Sequence, residues 1–434
     1  MNLSYQALIQ PAQAVLRAND MGGFTRPAAG QYPHQWNWDS AIIALGLSHF
    51  DLPRALQEIR SLLQGQWRDG MVPHIVYHTG PSDYFPDPAF WQTGGSPDAP
   101  ALATSGITQP PLLASVLRTM HQRTPIPDFI REVYPALLAW HRWFHTSRDA
   151  DGSGLACLIH PWESGTDDSP RWLRAMSAFE PHDLPAYHRR DTVHVSSAQR
   201  PNQADYDRFV HLVNLFRTRH YNHQALLAES PFLVQDLLTN SILHRADQDL
   251  RALALELGEP VGEIDGWIAQ VKAVFNQRFW NEPAGRYDDF DRRQGLPIAV
   301  NTGATFLPLY AGLASPTQAR RLVEEHLLNP QEYAPGERVH YQVTSTSQSE
   351  PTWEPARYWR GPVWVILNWL VAGGLERYGY ASLAEKFNQE SIELIALHGF
   401  YEYFDAHSGA GCGAPDFSWS AALAIELIES YSLG

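Results

Sequence analysis

The feature that most constrains this chain is the regular return of apolar segments at helical spacing, each followed by a loop, with almost nothing of strand character between them. Residues 3–18, 41–47, 52–66, 112–120, 128–146, 206–219, 231–256, 261–278, 302–313, 316–328, 364–378 and 381–397 read as helices, and Phe417-Ser418-Trp419-Ser420 opens a last one. Asp39 or Ser40 is a candidate cap for the helix over 41–47. Only 284–300 has the turn density of a small hairpin. Strand–helix alternation is missing, which disfavours a doubly wound parallel sheet. Every second loop is long, and the long loops hold most of the Trp, Asp, Glu, Arg and Gln. Helix hairpins with their long loops at one end predict an all-α barrel with its site at one mouth.

A chain of 434 residues exceeds the usual single-domain size, and a large barrel is the main exception. A single domain over 1–434 is the expectation. Charged residues are only 18% of the chain, whereas 15 Trp, 18 Tyr and 18 Phe are available to line a deep pocket. The net charge of −15 argues against nucleic acid or an anionic membrane as a partner. Two cysteines far apart, Cys157 and Cys412, exclude a disulfide scaffold and make a cysteine zinc site unexpected. The N-terminus lacks a basic stretch followed by an apolar run, and no segment is long and apolar enough to span a bilayer, so a cytoplasmic location is expected. The histidines read as scattered, without a metal-ligand pair. No phosphate loop, dinucleotide fingerprint or Gly-x-Ser-x-Gly is present, so neither a metal nor another cofactor is expected. Nothing in the pattern reports the oligomeric state.

One segment stands out: Trp162-Glu163-Ser164-Gly165-Thr166-Asp167-Asp168-Ser169-Pro170-Arg171-Trp172. It sets three carboxylates between two indoles and contains Gly and Pro, so it is not a regular helix throughout. Carboxylates accept hydrogen bonds from sugar hydroxyls, and a Trp face packs on the apolar face of a pyranose. The same segment also fits an acidic surface loop leading into a helix cap. Trp36 and Trp38, at i and i+2 before a helix, do not form a stripe of period 3.6 and suit a cavity wall. In Tyr358-Trp359-Arg360-Gly361-Pro362-Val363-Trp364, Arg360 fits either a cation that orients a carboxylate beside a sugar wall or a cap on helix carbonyls in an aromatic plug. Glu402, between Tyr401 and Tyr403 and ahead of a Gly-rich turn, is either an exposed turn residue or a site residue. Glycosidic hydrolysis needs two carboxyl groups on opposite sides of the anomeric carbon, one protonated and one ionised. Asp167 and Glu402 fit that requirement, and recurrence of such clusters at each long loop favours a sugar site.

These motifs, with Trp36-Asn37-Trp38-Asp39-Ser40 and Tyr401-Glu402-Tyr403-Phe404, resemble glycoside hydrolase family 63. Within it they resemble the compact bacterial hydrolases of glucosylglycerate and mannosylglycerate. The resemblance spans nearly the whole chain. It implies an (α/α)6 barrel with loop insertions, an inverting mechanism and a small carbohydrate substrate. Matched by motif, Asp167 would be the general acid and Glu402 the general base. Asp39 would hold sugar hydroxyls with Tyr32, Trp36 and Trp38, while His74, Tyr84, Gln109, Tyr358, Trp359, Arg360 and Trp419 would bind the substrate around them. The polar excursion over 176–205 would form a lid, with Arg200 and Tyr206 meeting the glycerate carboxylate. The family more often has Met-Asp-Asn where this chain has Thr166-Asp167-Asp168, and an inward-pointing Asp168 would raise the acid's pKa. An exo-acting α-glucosidase on a small oligosaccharide or disaccharide is the alternative enzyme. A sugar-binding or sugar-isomerising barrel is the alternative class.

Overall fold

The computed structural model describes residues 5–78 and 83–432, so the first two residues of the helix expected over 3–18 lie outside it. The fold is mostly helical. Its principal helices are α1 (Ile9–Ala18), α2 (Asn37–Leu47), α3 (Leu52–Leu63), α4 (Leu113–Arg123), α5 (Pro127–Ser147), α6 (Gln203–Thr218) and α7 (Leu237–Leu257). They continue as α8 (Gly262–Phe279), α9 (Leu307–Ala311), α10 (Pro316–Arg321), α11 (Val365–Arg377), α12 (Ala381–His398) and α13 (Ser418–Ser432).

Side-chain patterning sorts these helices into two layers. All eleven residues of α2 are buried, and α11 is buried on every side over most of its length. Helices apolar all round belong in an interior, whereas α3 and α1 bury one stripe and face water with the other. Among the described residues, α2, α4, α7, α9, α11 and α13 each pack on the next, and α13 closes back on α2. Helices α1, α3, α5, α8 and α12 pack on the outside of that ring. Along the chain an outer helix precedes each inner one except α11, which follows α9 and the short α10. The ring closes tightly at small residues: a β-carbon on Gly46 of α2 would sit 2.5 Å from the Ala422 backbone of α13.

The strands are short. β1 (Gln35–Trp36) pairs antiparallel with β2 (Ile75–Val76). A four-stranded antiparallel sheet runs in the order β3 (Cys157–Leu158), β4 (Val234–Gln235), β7 (Asp289–Asp291), β8 (Leu296–Ile298). Ribbons of β5 (Trp280–Asn281) with β6 (Arg286–Tyr287), and of β9 (Tyr403–Phe404) with β10 (Gly411–Cys412), complete the set.

The hairpin expected over 284–300 is present in β7 and β8, but the chain is not purely α-helical. The helix expected over 231–256 is corrected by the structure. Pro231 and Asp236 bracket an extended run, so Val234 and Gln235 pair with β3 and β7, and α7 starts after Asp236, whose side chain accepts from Thr239 N. The helix expected over 302–313 is a 3₁₀ turn, Gly303–Phe306, leading into the short α9, and that over 316–328 ends as a π-helix, Leu322–Leu327. The cap proposed for α2 is also displaced. The helix begins at Asn37, and no side chain caps it. Asn37 N donates to His74 O at 3.0 Å and Trp38 N to Gln109 Oε1 at 3.4 Å, which leaves Asp39 in the first turn with its carboxyl unspent. No described helix is long and apolar enough to cross a membrane.

The close approach of α2 and α13 is testable. Gly46→Val forces a branched side chain into the Ala422 backbone and should destabilise the fold by about 1–3 kcal/mol. Denaturant unfolding followed by circular dichroism checks this, and an unchanged midpoint would show that the ring relaxes at no cost.

Candidate active site

The loops that feed the starts of four inner helices, α2, α4, α11 and α13, help enclose a cleft. Trp36, Trp38 and Asp39 come from the start of α2, Gln109 from the loop before α4, Tyr358, Trp359 and Trp364 from the approach to α11, and Phe417 and Trp419 from the start of α13. Helix N-termini carry unpaired N–H groups and partial positive charge, so this end favours acidic groups and polar ligands. The cleft is narrow, with about 90 Å³ open to the centres of water-sized molecules. Its wall is largely aromatic, with Trp38 edge-on to Trp419 at 5.6 Å and Trp359 stacked on Trp364 at 3.9 Å.

The three carboxylates of the Trp162–Trp172 stretch have three different fates. Glu163 is fully buried, pairs with Arg148 and accepts from Ile159 N at 2.8 Å. Asp168 is buried and meets Arg360 through two bonds, 3.0 and 2.8 Å, and Arg357 through a third at 3.2 Å. Asp167 alone lines the cleft and makes no hydrogen bond to another described residue. Its neighbours hold it in place. Thr166 Oγ1 accepts from Arg171 at 2.9 Å and its carbonyl from Trp172 Nε1 at 2.9 Å, while Arg171 is anchored on Asp236 and Asp289. Gly165, at φ +69°, makes the turn, and a β-carbon there would strike the Trp38 ring at 2.5 Å. Burial raises the Asp167 pKa to about 8 against the opposing Arg200 charge, with smaller upward contributions from Glu402 and then Asp168. Asp168 therefore adds little, because it faces its own arginines.

Glu402 lines the same cleft on the approach to β9 and is 2% exposed. Its Oε1 accepts from Tyr32 Oη at 2.7 Å, and its Oε2 from Arg200 Nη2 at 3.1 Å and Ala414 N at 3.0 Å. Gly413 is required beside it, since a β-carbon would lie 2.3 Å from Oε2. Asp39 is buried nearby. Burial first, and then the Glu402 charge, push its pKa well above its ordinary value. Burial holds His74 down to about 3, so its imidazole is uncharged.

Of the residues singled out from sequence, Tyr32, Trp36, Trp38, Asp39, His74, Tyr84, Gln109, Asp167, Arg200, Tyr206, Tyr358, Trp359, Glu402 and Trp419 line this one cleft. Arg360 does not; its guanidinium is spent on Asp168, which corrects its assignment as a substrate contact. Asp191, Gln31, Phe85 and Phe417 also line the cleft, and no motif in the sequence marks them. The histidines are not all scattered. His141 and His145, four residues apart on α5, both bond Asp247 on α7, at 2.7 and 2.9 Å. The described residues contain no group of three or more donors able to hold a metal ion. The pair ties an outer helix to an inner one.

The profile of the mannosylglycerate hydrolase MGH1-like glycoside hydrolase domain matches residues 32–420. The mannosylglycerate hydrolase of Thermus thermophilus is 45% identical over 419 residues, which cover 95% of this chain and 99% of that protein. The glucosylglycerate hydrolase of Mycolicibacterium hassiacum is 34% identical over 430 residues, 96% of each chain. The crystal structure of a GH63 mannosylglycerate hydrolase from Thermus thermophilus in complex with Tris and D-glycerate matches at a TM-score of 0.90. Its sequence identity is 43%, over 98% of this chain and 100% of that one.

Thermal unfolding should separate the three carboxylates. The folded pKa of Asp167 lies above its unfolded value, so its contribution to stability is complete below about pH 4 and lost as pH rises through about 8. Asp167→Asn should match the wild type near pH 4 and melt at a higher temperature near pH 9. Glu163→Ala leaves Arg148 buried and unpaired, and should cost about 3–5 kcal/mol. Equal melting of wild type and Asp167→Asn at pH 9 would contradict the raised pKa.

Proposed function

Because the chain belongs to the mannosylglycerate hydrolase MGH1-like glycoside hydrolases, within glycoside hydrolase family 63, we propose that it cleaves 2-O-α-mannosylglycerate or 2-O-α-glucosylglycerate to the hexose and glycerate, with inversion. The observation that carries this is the contrast between two carboxyl groups at one cleft. Asp167 is unpaired and pushed up to about 8, whereas Glu402 is held by a guanidinium, a phenol and a backbone N–H. An unpaired acid that keeps its proton suits the general acid, and a carboxylate held by a cation and two other donors suits the base. Asp167 protonates the glycerate oxygen as the glycosidic bond breaks. Glu402 takes a proton from the water that attacks the anomeric carbon on the opposite face.

The remaining roles follow from position. Trp38, Trp359 and Trp419 give the sugar its apolar wall, and Asp39 holds a hydroxyl. Arg200 and Tyr206 come from the excursion over 176–205 and its exit into α6, and they take the glycerate carboxylate. A buried guanidinium at the cleft favours an anionic leaving group over a neutral disaccharide. The uncharged His74 gives no support to an isomerase. In this proposal the closed ring of six inner helices with its outer layer is one (α/α)6 barrel, and the excursion is its lid. The two cysteines, free and buried, suit a cytoplasmic setting.

A proton NMR time course with each hexosyl glycerate tests the proposal. β-Hexose should appear first, and Asp167→Ala and Glu402→Ala should each abolish its release. The rate should fall as pH rises through about 8, where Asp167 loses its proton. Early α-hexose would remove Glu402 from the role of base. Cleavage of a neutral α-glucoside alone would remove the glycerate.

A further inference from the structure

Arg200 carries the only guanidinium among the described residues lining the cleft, and it is 3% exposed. Its Nη1 donates to Tyr32 Oη at 2.8 Å, its Nη2 to Glu402 Oε2 at 3.1 Å, and its plane lies over the Tyr358 ring at 4.6 Å. Its Nε is buried without a hydrogen-bond partner. The pair with Glu402 is thus a single-point contact that leaves half of one guanidinium edge unused. Elsewhere in this chain the Nε/Nη2 edge meets a carboxylate with both nitrogens, as in Arg360 with Asp168, Arg142 with Glu263 and Arg60 with Glu132. A carboxylate arriving at Arg200 on that edge would satisfy the idle Nε and gain a second charge-assisted bond.

Glu402 has the complementary problem. A carboxylate offers about four acceptor sites, and Tyr32, Arg200 and Ala414 occupy three of them. Gly413 closes in on the Oε2 side. The water that must give Glu402 its proton has a single acceptor site left to approach.

We infer that Arg200 gates the base: in the empty cleft it holds Glu402 in a one-point ion pair, and the carboxylate of a seated leaving group draws its Nε/Nη2 edge away and releases Glu402 to accept a proton from water. This deepens the hydrolysis proposed above and rests on the anionic leaving group assigned there. Arg200 is then a positioning residue that acts through Glu402. Selection for an anionic leaving group appears in kcat as well as in KM, because a neutral leaving group binds without freeing the base.

α-Mannosyl and α-glucosyl fluoride test this directly. Each places its sugar in the cleft and leaves the glycerate position empty. Water adds at the anomeric carbon, fluoride departs, and the water's proton passes to Glu402. With the wild-type enzyme, added D-glycerate should raise kcat on the fluoride roughly tenfold, the rate equivalent of about one charge-assisted hydrogen bond, with KM little changed. Glycerol at the same concentration should do nothing. Arg200→Gln should raise the unassisted kcat on the fluoride, abolish the response to glycerate and lower kcat/KM on the hexosyl glycerate. Inhibition or indifference of the wild type toward glycerate would overturn the gate, as would a lower unassisted rate in Arg200→Gln. The wild-type comparison stands even where the variant fails to fold. Failure of the wild type to cleave either hexosyl glycerate would instead remove the substrate assignment, a result separate from the fluoride response.

Discussion

A carboxylate removed from water must be paired, hydrogen-bonded or protonated, and the site is organised by that requirement. Glu163, Asp167 and Asp168 lie within six residues; the first and third are buried, and Asp167 faces the cleft half-buried. Arg148 takes the first and Arg360 with Arg357 the third, and these ion pairs fix the backbone on either side of Asp167. Asp167 is left as the group with no partner, in a wall of indole and phenol rings. Its raised pKa follows from that exclusion, and with it a proton held near neutral pH. The neighbouring charges are there to be neutralised, so that one acid need not be.

The location of the cleft follows from helix termini. Each inner helix begins with N–H groups that no earlier turn can bond. At α2 these are met by His74 O and by Gln109 Oε1. At α7, Asp236 serves Thr239 while also holding Arg171 under the acid loop. Loops that satisfy helix starts are polar and conformationally specific, and here the same loops carry the site. Glu58, buried in α3, accepts from Gln35, Ser40 and Arg54, and so fixes the strand and helix that present Trp36, Trp38 and Asp39. Framework and site share residues, so the cleft has the rigidity that directed proton transfer requires.

Much of this could be read from the chain. Helices with strong apolar periodicity were legible because burial alone decides them. Glu402 stands out between two tyrosines, whereas Asp167 is one of three carboxylates between two tryptophans and is singled out only by the family motif. The rest depended on tertiary partners that sequence does not display. An apolar run such as Phe232-Leu233-Val234 is equally good helix or strand until β3 and β7 supply hydrogen bonds. Arg360 sits among aromatics and looks like a ligand contact, but Asp168, distant in sequence, claims it first. His141 and His145 show the spacing of metal ligands, yet Asp247 answers both. Gln31 and Asp191 reach the cleft through a contact across 160 residues, Gln31 Nε2 to Asp191 O at 3.1 Å.

The excursion over 176–205 differs from the rest of the wall in what holds it. Most of it is exposed or half-buried, with Val195 and Arg200 the buried members of its last ten residues before Pro201. Gln31 Nε2 donates to Asp191 O and Gly413 N to Gln199 Oε1, while Phe179, Leu184 and Tyr187 pack partly buried against the core. Arg200 is clamped between Tyr32, Glu402 and Tyr358. This anchor of the segment is therefore also a contact of Glu402. If the segment opens as proposed, the same guanidinium must leave Glu402, which would link access to the cleft with the state of the carboxylate proposed as the base.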